Sequence, residues 1–139
     1  MVYAPGTGET EQYKQNISLQ QSAKNINAMQ AAWTTYTPSA TATTGTMTAT
    51  GRYLQTGKTV HVQIVVTFTS AVTGGLTVGL PVATKGPTTI PCKEIQTSGI
   101  GGAGYCGTSS PTVSVLKYDG TTYTTNGYVI VISGVYESI

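Results

Sequence analysis

Few residues of this 139-residue chain could carry acid–base or nucleophilic chemistry. His61 is the single histidine; the carboxylates are Glu9, Glu11, Glu94, Asp119 and Glu137, and the thiols are Cys92 and Cys106. His61 sits in mid-strand, opposite the main valine stripe, where a lone histidine reads as a polar surface or interface residue. Glu9 and Glu11 belong to a helix start and Asp119 to a turn. Glu94 and Glu137 are then the only candidates for an acid/base pair, and nothing in the sequence brings them together. A Cys106 nucleophile would depend wholly on His61. The two cysteines lack the spacing of a zinc site. A bridge between them would close a glycine-rich loop, and two free, buried or half-buried thiols are the favoured alternative. Residues 98–107, SGIGGAGYCG, are not followed by a helix and carry no GK[ST] end, so they do not read as a phosphate loop. The expectation is a non-enzyme with no catalytic residues, metal or cofactor.

The elements that hold these residues are unlike one another. Charged residues make up only 9%, against roughly a quarter in an ordinary domain. Polarity comes instead from 27 Thr, 10 Ser and 17 Gly. A net charge of +2 gives no field to draw nucleic acid or an anionic membrane, and 39% hydrophobic residues are too many for a disordered tail. No apolar run is long enough to span a bilayer, and the first twenty residues lack the basic start and apolar core of a secretion signal.

Residues 9–32 contain no Pro or Gly and are rich in Gln, Ala, Lys and Glu, which predicts a helix. Pro5, Gly6 and Gly8 break structure before it; Thr7 or Thr10 can cap it, and Glu9 and Glu11 lie near its positive dipole end. Asn16, Leu19, Ala23, Ile26, Gln30 and Trp33 follow the 3,4 spacing of a coiled-coil seam, flanked by Ile17 and Met29. A lone helix with so thin a stripe is marginal in water. It either self-associates, with Asn16 and Gln30 pairing with their symmetry copies, or lies on its own β domain. The first is preferred: a short parallel coiled-coil bundle used for oligomerisation. Residues 1–8 read as an extended peptide that is either a frayed end or an attachment segment, with Val2, Tyr3 and Pro5 the candidate anchor residues.

From Trp33 the pattern changes to Thr, Val, Ile, Tyr and Gly, with turn signals about every ten residues. Residues 58–69 alternate strictly, with Val60, Val62, Ile64, Val66 and Phe68 on one face and His61, Gln63, Thr67 and Thr69 on the other. Thr56-Gly57 and Asp119-Gly120 are hairpin-turn signals. Residues 76–80, 112–118, 128–132 and 135–136 read as further strands. Residues 88–95 do too, although Pro91 confines that strand to an edge or a bulge. Residues 98–107 read as a surface loop. The fold class expected is mainly β: the helix followed by an antiparallel, jelly-roll-like β-sandwich over 33–139, seven or eight strands in two sheets.

Nine Tyr against one Phe and one Trp suit interfaces and sugar contacts, and Tyr105, Tyr118 and Tyr123, in or beside loops, are the candidate glycan contacts. Four stretches carry a resemblance: AWTTYTPSATATTG, ATGRYLQTGKTVHVQIVVTF, LTVGLPVAT and GYVIVISGVY. Their order, with Trp33, Tyr36 and Pro38, then Gly51, Tyr53, Gly57 and Lys58, then Leu80 and Pro81, and last Gly134 and Tyr136, is similar to a recurrent β domain of tailed-phage virion proteins. It covers about three quarters of the chain. The resemblance implies a trimeric, non-enzymatic appendage on the outer surface of the capsid: a homotrimer whose N-terminus grips capsid or other virion proteins, with weak adhesion to host-surface glycans. The short helix and the absence of a long shaft favour a head fibre or decoration protein. The alternative is a receptor-binding tip of the tail that recognises a host glycan. An enzyme, such as a small glycan depolymerase, is the third and least favoured reading.

Overall fold

The computed structural model describes residues 7–29 and 32–139. The chain divides into two compact units, Met1–Ala32 and Trp33–Ile139. In the first, helix α1 spans Thr7–Met29, so it starts two residues before the predicted boundary. Trp33 is not on α1; it opens the second unit.

That unit is built of nine strands: β1 (Thr34–Tyr36), β2 (Ala40–Thr41), β3 (Met47–Thr56), β4 (Thr59–Phe68), β5 (Leu76–Gly79), β6 (Thr88–Glu94), β7 (Gly101–Cys106), β8 (Thr112–Lys117) and β9 (Val129–Glu137). They form one antiparallel sheet in the order β1-β3-β4-β9-β6-β7-β8-β5-β2, where two separate sheets were expected. The sheet has to curl. In a flat sheet β2 and β3 would stand seven strand spacings apart, roughly 34 Å. Residues 42–46, which join them, reach roughly 20 Å at full extension. The two margins therefore come together, and the Tyr36 hydroxyl, on an edge strand, donates to the Gly79 carbonyl on β5 at 3.1 Å.

The concave face is the core. β4 behaves as its alternation predicts: Val60, Val62, Ile64, Val66 and Phe68 are at most 1% exposed. Ile130 and Ile132 from β9, Ile90 from β6, Val113 and Val115 from β8, and Leu76 and Val78 from β5 complete it. The β3–β4 hairpin turns at Gly57-Lys58, one residue beyond the predicted pair, with Gly57 at φ +60°. The Asp119-Gly120 turn also forms, with Gly120 N–H donating to Lys117 O at 3.0 Å. It does not return a strand to β8, because β9 pairs with β4 and β6 instead.

Two further expectations are corrected. The glycine-rich stretch is not a surface loop: Gly101–Cys106 is strand β7, inside the sheet between β6 and β8. Its inward positions are Gly102, Gly104 and Cys106, and the small residues leave room for Tyr123, which is fully buried. A Cβ on Gly102 would collide with the Leu116 carbonyl and come 2.7 Å from the Tyr123 hydroxyl. Pro91 is likewise not on an edge strand, since β6 pairs with β7 along one side and β9 along the other. The β6–β9 ladder runs only from Cys92 to Glu94, so Pro91 sits just where a backbone donor is no longer required.

Gly102→Ala should therefore cost about 1–3 kcal/mol by overpacking, measured by chemical denaturation, with Ala103→Ser on the outward face as a near-neutral control. Equal effects at the two positions would contradict the inward packing of β7.

Candidate functional site

The polar and aromatic residues picked from the sequence do not converge on one pocket. Glu94 occupies an inward position of β6, the next step in the alternation Ile90, Cys92, Glu94, and is fully buried. The following loop folds back around its carboxylate. Backbone N–H groups of Gln96 (2.7 Å), Thr97 (3.1 Å), Ser98 (2.5 Å) and Gly99 (3.2 Å) donate to it, as do the Ser98 hydroxyl (2.8 Å) and Val129 N–H at the start of β9 (3.2 Å). Burial acts to raise its pKa, but the donors from Ser98, Gln96 and Val129 together outweigh it and hold the group at about 2. Glu94 is thus a fastening for the β6–β7 loop and for β9, with its lone pairs already used. Glu137, at the far end of β9, pairs with Lys85 at 3.0 Å on the surface. Glu94 is in register with Ile130 and Glu137 lies seven residues further along the same strand, a separation of roughly 23 Å. The two carboxylates do not meet.

The Cys–His pairing does not assemble either. His61 is exposed on the convex face of β4, flanked by Leu54 and Val135, whereas Cys106 is buried on the concave side. Both thiols are free and buried. Cys106 is opposite Thr88, four residues from Cys92 along β6, so the two are roughly 13 Å apart and beyond disulfide reach. Burial pushes the Cys106 thiol up to about 11. Burial also raises Cys92, partly offset by its contact with the Tyr123 hydroxyl at 3.9 Å. Among the described residues no three His, Cys, Asp or Glu side chains gather as a metal site, and no helix is long and apolar enough to cross a membrane.

The three candidate glycan tyrosines separate. Tyr123 is corrected to a core residue: it is 0% exposed and donates to Ile100 O at 3.0 Å. Tyr105 on β7 and Tyr118 just beyond β8 are exposed. Tyr118 N–H bonds to Gly101 O, four residues from Tyr105, so the two rings are anchored roughly 13 Å apart with Leu116 exposed on the same pair of strands.

Of the seam residues, Asn16, Leu19 and Ala23 are exposed on α1, as is Ile17 beside them; Leu19 is 68% exposed. Ile26 lies on α1, and its side chain is outside the described set. Gln30 and the anchor residues Val2, Tyr3 and Pro5 lie outside the described residues. Trp33 is engaged within the β unit: the Arg52 guanidinium stacks 5.0 Å over its ring, and Arg52 Nε donates to Gln63 Oε1 at 2.7 Å. Sequence alone missed this trio, although the Gly57-Lys58 turn sets the register that puts Arg52 opposite Gln63.

Some of the residues that carry the resemblance, Tyr36, Pro38, Gly51 and Tyr53, meet at the closing corner of the curled sheet. A Cβ on Gly51 would come 2.5 Å from the Tyr36 ring and 2.9 Å from Pro38, so these three residues fit only together. Tyr36 and Tyr53 meet edge to face at 5.7 Å. A Cβ on Gly134 would meet Ile90 at 2.8 Å, and the Tyr136 hydroxyl donates to Val82 O at 2.7 Å, beside the Leu80-Pro81 stop. These are packing contacts within the β unit. No family model matches the chain, nor does any curated protein or solved structure.

The depressed Glu94 pKa has a defined pH signature. A carboxylate at about 2 in the folded state and near 4.5 when free contributes stability that is fully present above about pH 4.5 and is lost as pH falls toward 2. Denaturation midpoints should therefore drop across that window. Glu94→Gln should flatten the drop and lower stability at pH 7 by about 2 kcal/mol. An unchanged pH profile in Glu94→Gln would mean that the loop is held by something else.

Proposed function

We propose that this protein is a structural component of a tailed-phage virion: a short homotrimeric fibre or decoration protein on the outer surface of the capsid. The observation that carries this reading is the division of labour along the chain. A helix with an exposed seam stripe, Leu19 and Ala23 its described apolar members, is followed by a second compact unit in which Tyr36, Pro38, Gly51 and Tyr53, among the residues that resemble virion β domains, pack together at the closing corner. Three copies of α1 bury that stripe in a parallel coiled coil, through Asn16, Leu19, Ala23, Ile26 and Gln30. The β unit, its curled sheet enclosing the core in the manner of a jelly roll, projects outward. Val2, Tyr3 and Pro5 provide the grip on capsid or other virion proteins, and three copies side by side strengthen it through effective concentration. On this reading the protein is not an enzyme, needs no cofactor, and contacts neither nucleic acid nor the membrane interior.

The second reading, a receptor-binding tip of the tail, draws on Tyr105, Leu116 and Tyr118, whose exposed apolar surfaces suit stacking against sugar rings. Weak glycan adhesion by the same residues is compatible with a capsid fibre.

Quantitative mass spectrometry of gradient-purified virions of the encoding phage tests the proposal. The chain should be present in far more copies than a tail tip allows. Deleting residues 2–8 should leave a folded trimer that no longer decorates particles lacking the protein. Absence from virions would overturn the reading, tail-level copy number would favour the second one, and full occupancy by the truncated chain would place attachment elsewhere.

A further inference from the structure

The convex face of β3, β4, β9 and β6 carries a cluster of aliphatic side chains. Its outward positions include Leu54, Val65, Val129, Val131, Val135 and Ile95. Val65 is directly beside Val131, forming a ridge at the centre of the patch. Shallow depressions flank that ridge, one lined by Thr35, Thr50, Arg52 and Gln63, the other by Pro91, Lys93, Ile95 and Ser133. Val135 is 48% and Ile95 56% exposed. On the opposite arm of the sheet threonine takes the outward places Thr41 and Thr77, and Tyr105 and Leu116 are exposed on β7 and β8. Chains this rich in threonine have a ready polar residue for any wet strand face, so a cluster of aliphatic side chains on an outward face points to a surface that is covered.

We infer that this sector is covered by a neighbouring copy of the same chain within the trimer, so that the β units, as well as the helices, pack against each other; the inference rests on the trimeric reading above. Area selects the occupant. Four strands about 4.8 Å apart and some six residues long present roughly 400 Å². A separately diffusing partner held at a stable interface covers about 800 Å² on each side. The patch therefore provides about half of what such a partner needs. A copy already joined through its helix is present at millimolar effective concentration and requires much less. Charge is consistent with this choice. The sector holds Arg52, His61 and Lys93 and no carboxylate among the described residues apart from Glu137 at its margin, which Lys85 neutralises. Of the described carboxylates, Glu94 is sealed in the core, whereas Asp119 is exposed in its turn, where Oδ1 accepts from Thr121 and the carboxylate still faces outward toward a neighbour's cations. A head-to-tail contact repeated three times about an axis closes on itself, matching one sector of each copy to a different surface of the next.

Thiol labelling of the full-length chain tests this, because the native Cys92 and Cys106 are buried. Ile95→Cys and Val135→Cys place single exposed thiols in the sector, and Thr77→Cys serves as a control on the other arm. Each is compared in the parent chain and in the Leu19→Asp/Ile26→Asp background, whose charged seam separates the copies. A face occupied nine-tenths of the time slows maleimide labelling about tenfold. The expected result is that slowing at positions 95 and 135 in the parent alone, with position 77 equally fast in both. Equal rates at all three sites in a parent that is itself trimeric would overturn this inference and leave the face open to a glycan or virion protein. A parent that runs as a monomer would overturn the trimeric reading with it.

Discussion

The shortness of the link between β2 and β3 governs the β unit. Five residues cannot cross the width of a nine-stranded sheet, so the sheet curls until its margins face each other, and one face becomes a closed interior. At the closing corner this approach meets the β1–β3 ladder, in which Tyr36 stands directly opposite Gly51. Gly51 has no side chain because Tyr36 and Pro38 occupy the space, and the Tyr36 hydroxyl caps a β5 carbonyl across the seam. The buried hydroxyl is satisfied by its hydrogen bond, which is the condition for placing a tyrosine rather than a phenylalanine there. Opposite the corner, Glu94 does comparable work for the β6–β7 loop, drawing its backbone donors onto one carboxylate and tying them to the start of β9.

Strict local periodicity was legible in the sequence. The β4 alternation named its buried residues correctly because each lies two positions from the next and needs no knowledge of its neighbours. The helix was legible for the same reason, from an uninterrupted run without Pro or Gly. What was not legible depends on residues distant in the chain. β7 looks like a loop because glycine has poor strand propensity, and only the bulk of Tyr123, some twenty residues away, explains why glycine belongs there. Tyr123 itself was misread as a surface residue since its place is set by that complementary space. Pro91 predicts an edge or a bulge from sequence, because its interior position depends on where the β6–β9 ladder stops. Glu94 could have been placed: its alternation with Ile90 and Cys92 points it inward, and the Gln-Thr-Ser-Gly run after it supplies small residues for a tight loop of donors.

The same features bear on function. The few residues capable of chemistry are scattered: Glu94 is enclosed by donors, Glu137 is at the other end of its strand, and His61 and Cys106 lie on opposite faces of the sheet. Exposed apolar side chains lie on β7 and β8, as Tyr105 and Leu116, and also on α1 and on one convex sector of the sheet. On the proposed reading the last two are assembly surfaces: the helices join the copies, and the tethered β units then use a patch too small to hold a free partner.

Light scattering of the full-length chain tests this account most directly. The account predicts a native mass of about 43 kDa, three times the 14.4 kDa chain, falling to the single-chain mass in Leu19→Asp/Ile26→Asp, where unpaired seam charges cost several kcal/mol each on burial. A parent chain at 14.4 kDa, or a trimer indifferent to both seam charges, would contradict it.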